Sequence, residues 1–200
     1  MTENQARSSG LRGLEMARTK GVGFCNVRSF TIERFGADGW ARLLAAMAPD
    51  DREVLASVIG VGWYDLALYA RLIRRLDGMH GQSDLGLVAE LGRYEAEQDL
   101  TTIHRLFMRL ANPAFVIEKA AEYWRRFHDT GEFHVTRDGP TRLHGTLDGW
   151  GVVDSALCRE VAAYISRLLE LVGAKDVRIQ HPRCRAHGEE VCAFVMNWKA

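Results

Sequence analysis

Residues 158–198 of this 200-residue chain, CREVAAYISRLLELVGAKDVRIQHPRCRAHGEEVCAFVMNW, contain the patterns that decide the fold. Apolar side chains recur every three or four positions over residues 157–172, which predicts an amphipathic helix that Gly173 ends. Residues 176–181 and 191–198 instead alternate between apolar and polar side chains, and a turn rich in Arg and Gly separates them. The sequence therefore predicts a helix followed by a closing β-hairpin.

Three of the four cysteines lie in this stretch, together with a histidine: Cys158, His181, Cys184 and Cys192. Thiolate sulfur and imidazole nitrogen are preferred ligands at structural zinc sites, which are tetrahedral and take four of them. The gap of two residues between His181 and Cys184 suits chelation at a strand end, and the return strand would bring Cys192 back to the same point. At a helix start, the dipole favours the thiolate form of Cys158. We predict one structural zinc ion with four protein ligands, a closed site rather than an open catalytic one.

The fourth ligand of this site is the least constrained, because three residues of the turn could replace the histidine: His187, Glu189 and Glu190. Two other interpretations of the cysteines stay open. They could be small buried hydrophobic residues, or Cys184 and Cys192 could form a redox-reactive pair.

The rest of the chain continues this mixed pattern. Residues 131–150 alternate around an Asp-Gly-Pro turn and predict a second hairpin, and residues 37–128 carry helical periodicity almost throughout. Residues 21–35 alternate and predict one strand or a short hairpin, whereas residues 1–20 predict a flexible tail. We expect one domain over residues 21–200 of the α+β class, with an N-terminal strand pair, a helical run and an antiparallel sheet.

Several aromatic residues of the helical run could line a ligand pocket, although stripes at helical spacing also build ordinary cores. These residues are Trp63, Tyr64, Tyr69, Phe107, Phe115, Tyr123 and Trp124.

The bulk composition excludes several classes of function. The formal net charge is zero, which gives no reason to expect binding to nucleic acid. No run of about eighteen apolar residues is present, so we expect no membrane span. The polar N-terminus contains no signal-peptide core, which predicts a cytoplasmic protein. In the cytoplasm, clustered cysteines bind metal more often than they form disulfides.

The sequence resembles the 4-vinyl reductase domain family in a helix that carries Cys158, followed by Cys184, Gly188 and the run 192–194. The resemblance covers roughly residues 22–198 and implies the fold of the TRAPP vesicle-tethering subunits and of the haem NO-binding superfamily. The family includes sensory domains of bacterial regulators that respond to aromatic compounds, and the helical part of the chain also resembles uncharacterised myxobacterial proteins of this superfamily. In the phenol sensors of the family, zinc is held by three cysteines and a glutamate whose position corresponds to His181 here.

Two departures limit what this resemblance implies. Ala162, Leu168 and Ile179 stand where the phenol sensors place aromatic side chains, so phenol specificity is not carried over. No histidine has a recognisable haem-binding context either. We therefore expect a non-enzymatic sensor or adaptor that binds a small apolar ligand, a protein partner or both, is stabilised by the structural zinc and forms a homodimer. Any output must pass through a protein partner.

Two other functions are alternatives to this one. The first is a purely structural dimerisation module without a ligand, like the tethering subunits. The second is an enzyme of tetrapyrrole or aromatic metabolism, but the sequence contains no recognisable catalytic triad, phosphate-binding loop or dinucleotide fingerprint.

Overall fold

The computed structural model describes residues 16–99 and 112–199. Residues 1–15 of the predicted tail lie outside these ranges, as does Phe107, one of the predicted pocket residues. The described chain begins earlier than the predicted domain, because residues 18–20 form a strand.

The helical part of the molecule comes first and confirms the predicted helical run. Its helices are α1 Gly21–Ala45, α2 Pro49–Ala56, α3 Leu66–His80, α4 Gly86–Asp99, α5 Pro113–Glu122 and α6 Trp124–Phe127. A short antiparallel pair, β1 Arg18–Lys20 with β2 Trp63–Asp65, joins the start of α1 to the start of α3. None of the described helices is long and apolar enough to cross a membrane.

The second part is a four-stranded antiparallel sheet with one helix. Its elements are β3 Glu132–Arg137, β4 Arg142–Asp148, α7 Ser155–Leu171, β5 Lys175–Arg183 and β6 Cys192–Lys199. The strand order is β3-β4-β6-β5, so the closing hairpin lies beside the first one. Both predicted hairpins and the predicted helix are present, and the α+β fold with an antiparallel sheet is confirmed.

The strand interpretation of residues 21–35 is wrong, because this segment is the first part of α1. Its buried side chains include Phe24, Val27 and Phe30, which are three residues apart and therefore share one helical face. The apparent alternation of the sequence came from polar neighbours on the other face. The N-terminal strand pair exists, but β1 and β2 form it.

Helices α4 and α7 pack closely against each other and connect the two parts of the molecule. Gly92 permits this approach, since a Cβ atom at that position would lie 2.4 Å from the backbone oxygen of Glu160. Core side chains from both parts, including Leu91 and Leu157, are fully buried at 0 % exposure. Helix α7 is thus held between α4 and the sheet, and its residues contribute to both sites described below.

Candidate functional site

Four side chains from α7 and the β5–β6 connection converge where β5 ends and β6 begins. Cys158 is the fourth residue of α7, His181 lies on β5, Cys184 follows β5, and Cys192 opens β6. One potential ligand atom from each residue lies within 4.8 Å of the others. We call this group the Cys/His cluster. Its Sγ atoms are 3.4 Å apart between Cys158 and Cys192, and 3.9 Å apart between Cys184 and Cys158.

The local fold explains how residues so far apart in sequence reach one point. Cys192 is fixed by its register opposite Leu147 of β4. The chain between Cys184 and Cys192 makes one turn of 3-10 helix at residues 185–187, and Gly188 then takes a φ of 91°, which favours glycine. The backbone N–H of His187 donates to the oxygen of Cys184 at 2.9 Å, and this bond closes the turn.

The donor atoms of the cluster are not all satisfied by the surrounding protein. All four cysteines are free thiols, and the three in the cluster are buried. The His181 ring stacks on Phe194 with 4.5 Å between centroids, and its Nε2 is buried without a hydrogen-bond partner in the described structure. Buried nitrogen atoms normally have partners, so this orphaned atom is expected to bind a group that the protein itself does not provide.

The sequence predicts that the helix dipole favours a thiolate at Cys158, but the contacts in the cluster shift the pKa of this thiol in the opposite direction. The sulfur atoms of Cys158 and Cys192 are hydrogen-bonded, and this bond, together with burial, raises the pKa of Cys158. The same bond lowers the pKa of Cys192, with smaller contributions from His181 and the backbone N–H of Arg185. The directions of these two pKa shifts favour the thiolate at Cys192, whereas the helix dipole alone would favour it at Cys158.

The three alternative fourth ligands lie outside the cluster. His187, Glu189 and Glu190 are exposed, and the Glu189 carboxylate pairs with Arg183 at 3.0 Å. Cys25 is on α1 and is not a member either. The geometry therefore selects His181 from the options that the spacing left open.

A second site lies on the other side of α7. A cavity of about 910 Å³ is bounded by β1, α1 and α3–α7, and most of its lining is apolar or aromatic. The aromatic residues in its wall are Tyr69, Phe115, Tyr123, Trp124, Phe127, Phe133, Trp150 and Tyr164. This volume is typical of a site for a small organic ligand.

One strip of the cavity wall is acidic. Glu95 and Glu160 are buried at 8 % and 6 % exposure, and both carboxyls contact the hydroxyl of Tyr69. One turn further along the same two helices, the Tyr164 hydroxyl donates to Asp99 at 2.8 Å. We call these five residues the acidic seam. All five line the cavity.

The hydrogen bonds of the acidic seam require an extra proton. The Tyr69 hydroxyl lies 3.1 Å from Glu95 Oε1 and closer still to Glu160 Oε1. A phenol has one proton and can donate to only one of these oxygens. The other contact is favourable only if that carboxyl is itself protonated. Burial accordingly raises the pKa of Glu160 to about 8, and burial together with the charge of Glu160 raises the pKa of Glu95.

The seam has no compensating cation among the described residues. Elsewhere on these two helices, a partly buried carboxylate has a cation as its partner, since Glu170 of α7 pairs with Arg93 of α4 at 2.7 Å. No ion pair of the described structure includes Glu95, Asp99 or Glu160. Two buried carboxyls without a cation are costly unless a proton or a bound group compensates them.

The predicted pocket residues divide into two groups. Phe115 and Trp124 line the cavity, as do Tyr69 and Tyr123. Two others lie elsewhere: the Trp63 ring packs under Lys20 Nζ at 4.3 Å, and the Tyr64 hydroxyl accepts from the backbone N–H of Ile59. They pack in the β1–β2 region because their strand and turn hold them there.

Sequence reasoning missed the acidic seam. The signal that could have found it is an acidic residue at an apolar position of a helix. Glu95 lies four residues after the buried Leu91, and Glu160 three residues after the buried Leu157. Such a carboxyl faces the interior, where it is rarely found without a partner.

Comparisons with known proteins identify the fold. No family model matches the chain, and no curated protein matches it. Among solved structures it is similar to an H-NOX (haem NO-binding) protein from S. oneidensis in the Fe(II)NO state, with 13% identity and a TM-score of 0.72 over 90% of this chain and 99% of that one. An unliganded Fe(II) H-NOX protein mutant from K. algicida gives 12% and 0.69, over 90% and 97%. These values show a shared fold.

The comparisons correct the predicted cofactor. The structures of this fold are Fe(II) proteins, described without ligand and with NO or CO bound. The prediction of structural zinc as the cofactor is therefore wrong, because the solved structures that share this fold are recorded with Fe(II). The sequence pattern misled because three cysteines and a histidine at chelating distances are typical of zinc whatever the fold around them.

Haem fits the cavity in volume, and few side chains of the described wall could serve as its axial ligand. Haem iron is held by histidine, cysteine, methionine or tyrosine side chains. His128 is the one histidine in the described lining, and its ring is already packed between Trp124 at 4.1 Å and Trp150 at 5.2 Å. The hydroxyl of Tyr69 is committed to two carboxyls. His104 lies outside the described residues. Two side chains of the described wall remain as possible axial ligands: His128, whose Nδ1 is buried without a partner, and Tyr123, whose ring lies under Arg126 at 4.4 Å.

Proposed function

We propose that this chain is a non-enzymatic sensor domain that binds a small, largely apolar ligand in the cavity beside α7. The observation that carries the proposal is the cavity itself, whose volume of about 910 Å³ is surrounded by aromatic side chains. The fold supports it, since solved structures that share this fold include one recorded with NO bound and one recorded with CO bound. The resemblance to the 4-vinyl reductase domain stays part of this proposal.

A fluorescent probe tests the ligand half of the proposal. N-phenyl-1-naphthylamine is neutral, apolar and brighter in apolar surroundings, so it should bind the wild-type protein at about one molecule per chain. Ala120 lines the cavity and is partly buried, so Ala120→Trp should place an indole in its wall and weaken binding. Val54→Trp, at a surface position of α2 outside the lining, serves as the matched control. Equal binding by both variants would refute the cavity as the ligand site.

The Cys/His cluster supports a separate proposal. Its four side chains form the ligand set of a metal ion whose identity is left to elemental analysis. Support comes from the convergence of four ligand atoms within 4.8 Å and from the unpartnered Nε2 of His181. Such an ion would connect α7 to β5 and β6.

An enzyme is the second candidate function, because one observation favours it. Two buried carboxyls and a tyrosine face the cavity, and a carboxyl with a pKa raised to about 8 can act as a general acid. Mass spectrometry of a bound compound after prolonged incubation separates the two functions. An unchanged compound supports the sensor, and a converted one supports the enzyme.

The remaining expectations also stay proposals. They are the single domain over residues 21–200, the homodimer, the protein partner for output and the cytoplasmic location. Light scattering of the purified chain tests the homodimer directly, because a monomeric mass at micromolar concentration would exclude it.

A further inference from the structure

The acidic seam determines what kind of molecule the cavity is suited to bind. We infer that the ligand is an organic cation, a molecule with an apolar body and a protonated nitrogen that Glu95 and Glu160 hold. The inference rests on the proposed function and specifies its ligand class. It is argued from the two carboxyls, from the cations of the lining and from the aromatic wall.

The first argument is the uncompensated charge. Glu95 and Glu160 are both buried, face the same hydroxyl and have no cation at ion-pair distance in the described structure. A ligand ammonium group placed beside them would form charge-assisted hydrogen bonds with both carboxylates, which are roughly twice as strong as neutral ones. The seam is therefore complementary to a positive charge and repels a negative one.

The second argument is that the basic residues of the lining are engaged elsewhere. Lys20 Nζ donates to the backbone oxygen of Val61 at 2.9 Å, and Lys119 pairs with Glu122 at 2.7 Å. The third, Arg126, lies over the ring of Tyr123 at 4.4 Å. None of them contacts a carboxyl of the seam, so the position of the missing cation is left to the ligand.

The third argument is the aromatic wall. The rings of Tyr69 and Tyr164 lie within the seam, and aromatic faces attract ammonium groups through cation–π interactions. Trp124 and Trp150 line the same cavity and supply apolar surface for the body of a ligand.

Three compounds with one skeleton test the inference. 4-Phenylbutylamine, 4-phenylbutan-1-ol and 4-phenylbutyrate differ only in the charge of their end group. Titration at pH 8.5, followed by calorimetry and by the fluorescence of the cavity tryptophans, should rank the amine about tenfold above the alcohol, the fold-change of a 1.4 kcal/mol difference. The carboxylate should bind weakest of the three.

Variants then assign the effect to the seam. Glu160→Gln keeps an oxygen that accepts from Tyr69 but removes the charge, so it should weaken amine binding about tenfold and leave alcohol binding within about twofold. Glu90→Gln, at an exposed position of the same helix as Glu95, should change neither. Glu95→Gln repeats the test if circular dichroism shows that the first variant is unfolded.

The possible failures can be told apart. If the alcohol binds as tightly as the amine, the inference is overturned while the proposed function stands. If neither these compounds nor N-phenyl-1-naphthylamine binds the wild-type protein, the proposed function itself fails. Haemin provides a further readout. A sharp Soret band at one haem per chain that is unchanged in Glu160→Gln would assign the cavity to haem and overturn the organic cation.

Discussion

Helix α7 contributes to two sites of opposite character, the Cys/His cluster and the acidic seam. Cys158 and Glu160 are two residues apart, which places them about 200° apart around the helix. On one side the polar groups complement each other, since a thiol donates to a thiolate and four ligand atoms converge. On the other side, two buried carboxyls face one hydroxyl with no cation nearby. The first site can hold the fold together, whereas the second leaves a charge for a ligand to satisfy.

This contrast has a physical basis in stability. Groups that complement each other lower the free energy of the folded state before any ligand binds. Like charges raise it, and a protein retains them at a binding site where a bound molecule restores the balance. Removing a group from the cluster should therefore destabilise the protein, whereas neutralising a carboxyl of the seam should not.

The largest expected effect comes from breaking the Cys/His cluster. Cys184→Ser should lower the free energy of unfolding by about 4 kcal/mol or more if the cluster binds a metal ion, since loss of a structural metal is among the most destabilising changes. Chemical denaturation measures it, and elemental analysis should show less metal per chain than in the wild type. Cys25→Ser, at a cysteine of α1 outside the cluster, is the matched control.

A chelator adds a second measurement to this prediction. It should lower the thermal midpoint of the wild-type protein and leave that of Cys184→Ser unchanged. If the two serine variants differ by less than about 1 kcal/mol and the chelator has no effect, the cluster is a set of small buried thiols and the comparison with the seam loses its first half.

A smaller effect is expected where α4 approaches α7. Gly92→Ala would place a methyl group 2.4 Å from the backbone oxygen of Glu160, so the helices must move apart. We expect a loss of about 2–3 kcal/mol, as for other overpacked sites. Because α4 carries Glu95 and none of the cluster residues, amine binding should fall while metal content stays the same.

The control for this prediction is Gly78→Ala on α3. A Cβ atom there would meet nothing closer than 3.9 Å, and alanine favours a helix more than glycine does. That variant should be as stable as the wild type or gain up to about 1 kcal/mol. Equal stability of the two alanine variants would show that the α4–α7 contact is more adaptable than the structure indicates.

The third prediction concerns the pH dependence that the seam creates. The pKa of Glu160 rises from its ordinary value of 4.5 to about 8 on folding, mainly through burial. Between these values the folded state binds more protons than the unfolded one, so stability falls as pH rises towards 8. A slope of about 1.4 kcal/mol per pH unit gives a loss of about 2 kcal/mol from pH 6.5 to 8.

Urea denaturation at both pH values measures this loss, and Glu160→Gln should reduce it. The groups that face Glu160 are Glu95 of α4 and Tyr69 of α3, and the raised pKa of Glu95 adds to the same trend. The wild type minus the variant isolates Glu160. A difference that does not change with pH would mean that Glu160 is ionised throughout the range and that its charge is compensated.

Most of the fold could be predicted from the sequence because its signals are local. The alternation of β3 to β6, the stripe of α7 and Gly173 at its end all depend on neighbouring residues. The segment 21–35 failed because alternation over a few residues also fits a helix whose polar face is interrupted. Burial of Phe24, Val27 and Phe30 against other parts of the core favours the helix over the strand. The local sequence pattern contains no information about this burial.

The two sites differ in the same way. The cluster lies within residues 158–192, so spacing indicated that its three cysteines would meet but left the fourth ligand open among His181 and three residues of the turn. The acidic seam joins positions 69, 95 and 160 from three helices. Its existence depends on how those helices pack, so no local spacing could reveal it. Cofactor identity was the least predictable, because similar ligand sets occur on unrelated folds.

The smallest effect expected is at the start of α7, the element common to both sites. Asp154 accepts from the backbone N–H of Ala156 at 2.7 Å and pairs with Arg74 at 2.6 Å. Asp154→Ala removes both interactions and should cost about 1.5 kcal/mol, of which the cap contributes about 1. Asp154→Asn keeps the cap and loses only the ion pair, which should cost about 0.5 kcal/mol.

The two variants also distinguish the two sites by their positions along α7. Loss of a cap frays the first turn, which contains Cys158, more than the second turn, which contains Glu160. Asp154→Ala should therefore weaken metal retention under chelator challenge more than it weakens amine binding, and Asp154→Asn should change neither appreciably. Equal losses at both sites would mean that α7 moves as one rigid body, so that the cluster and the seam are coupled through the helix rather than independent on its two sides.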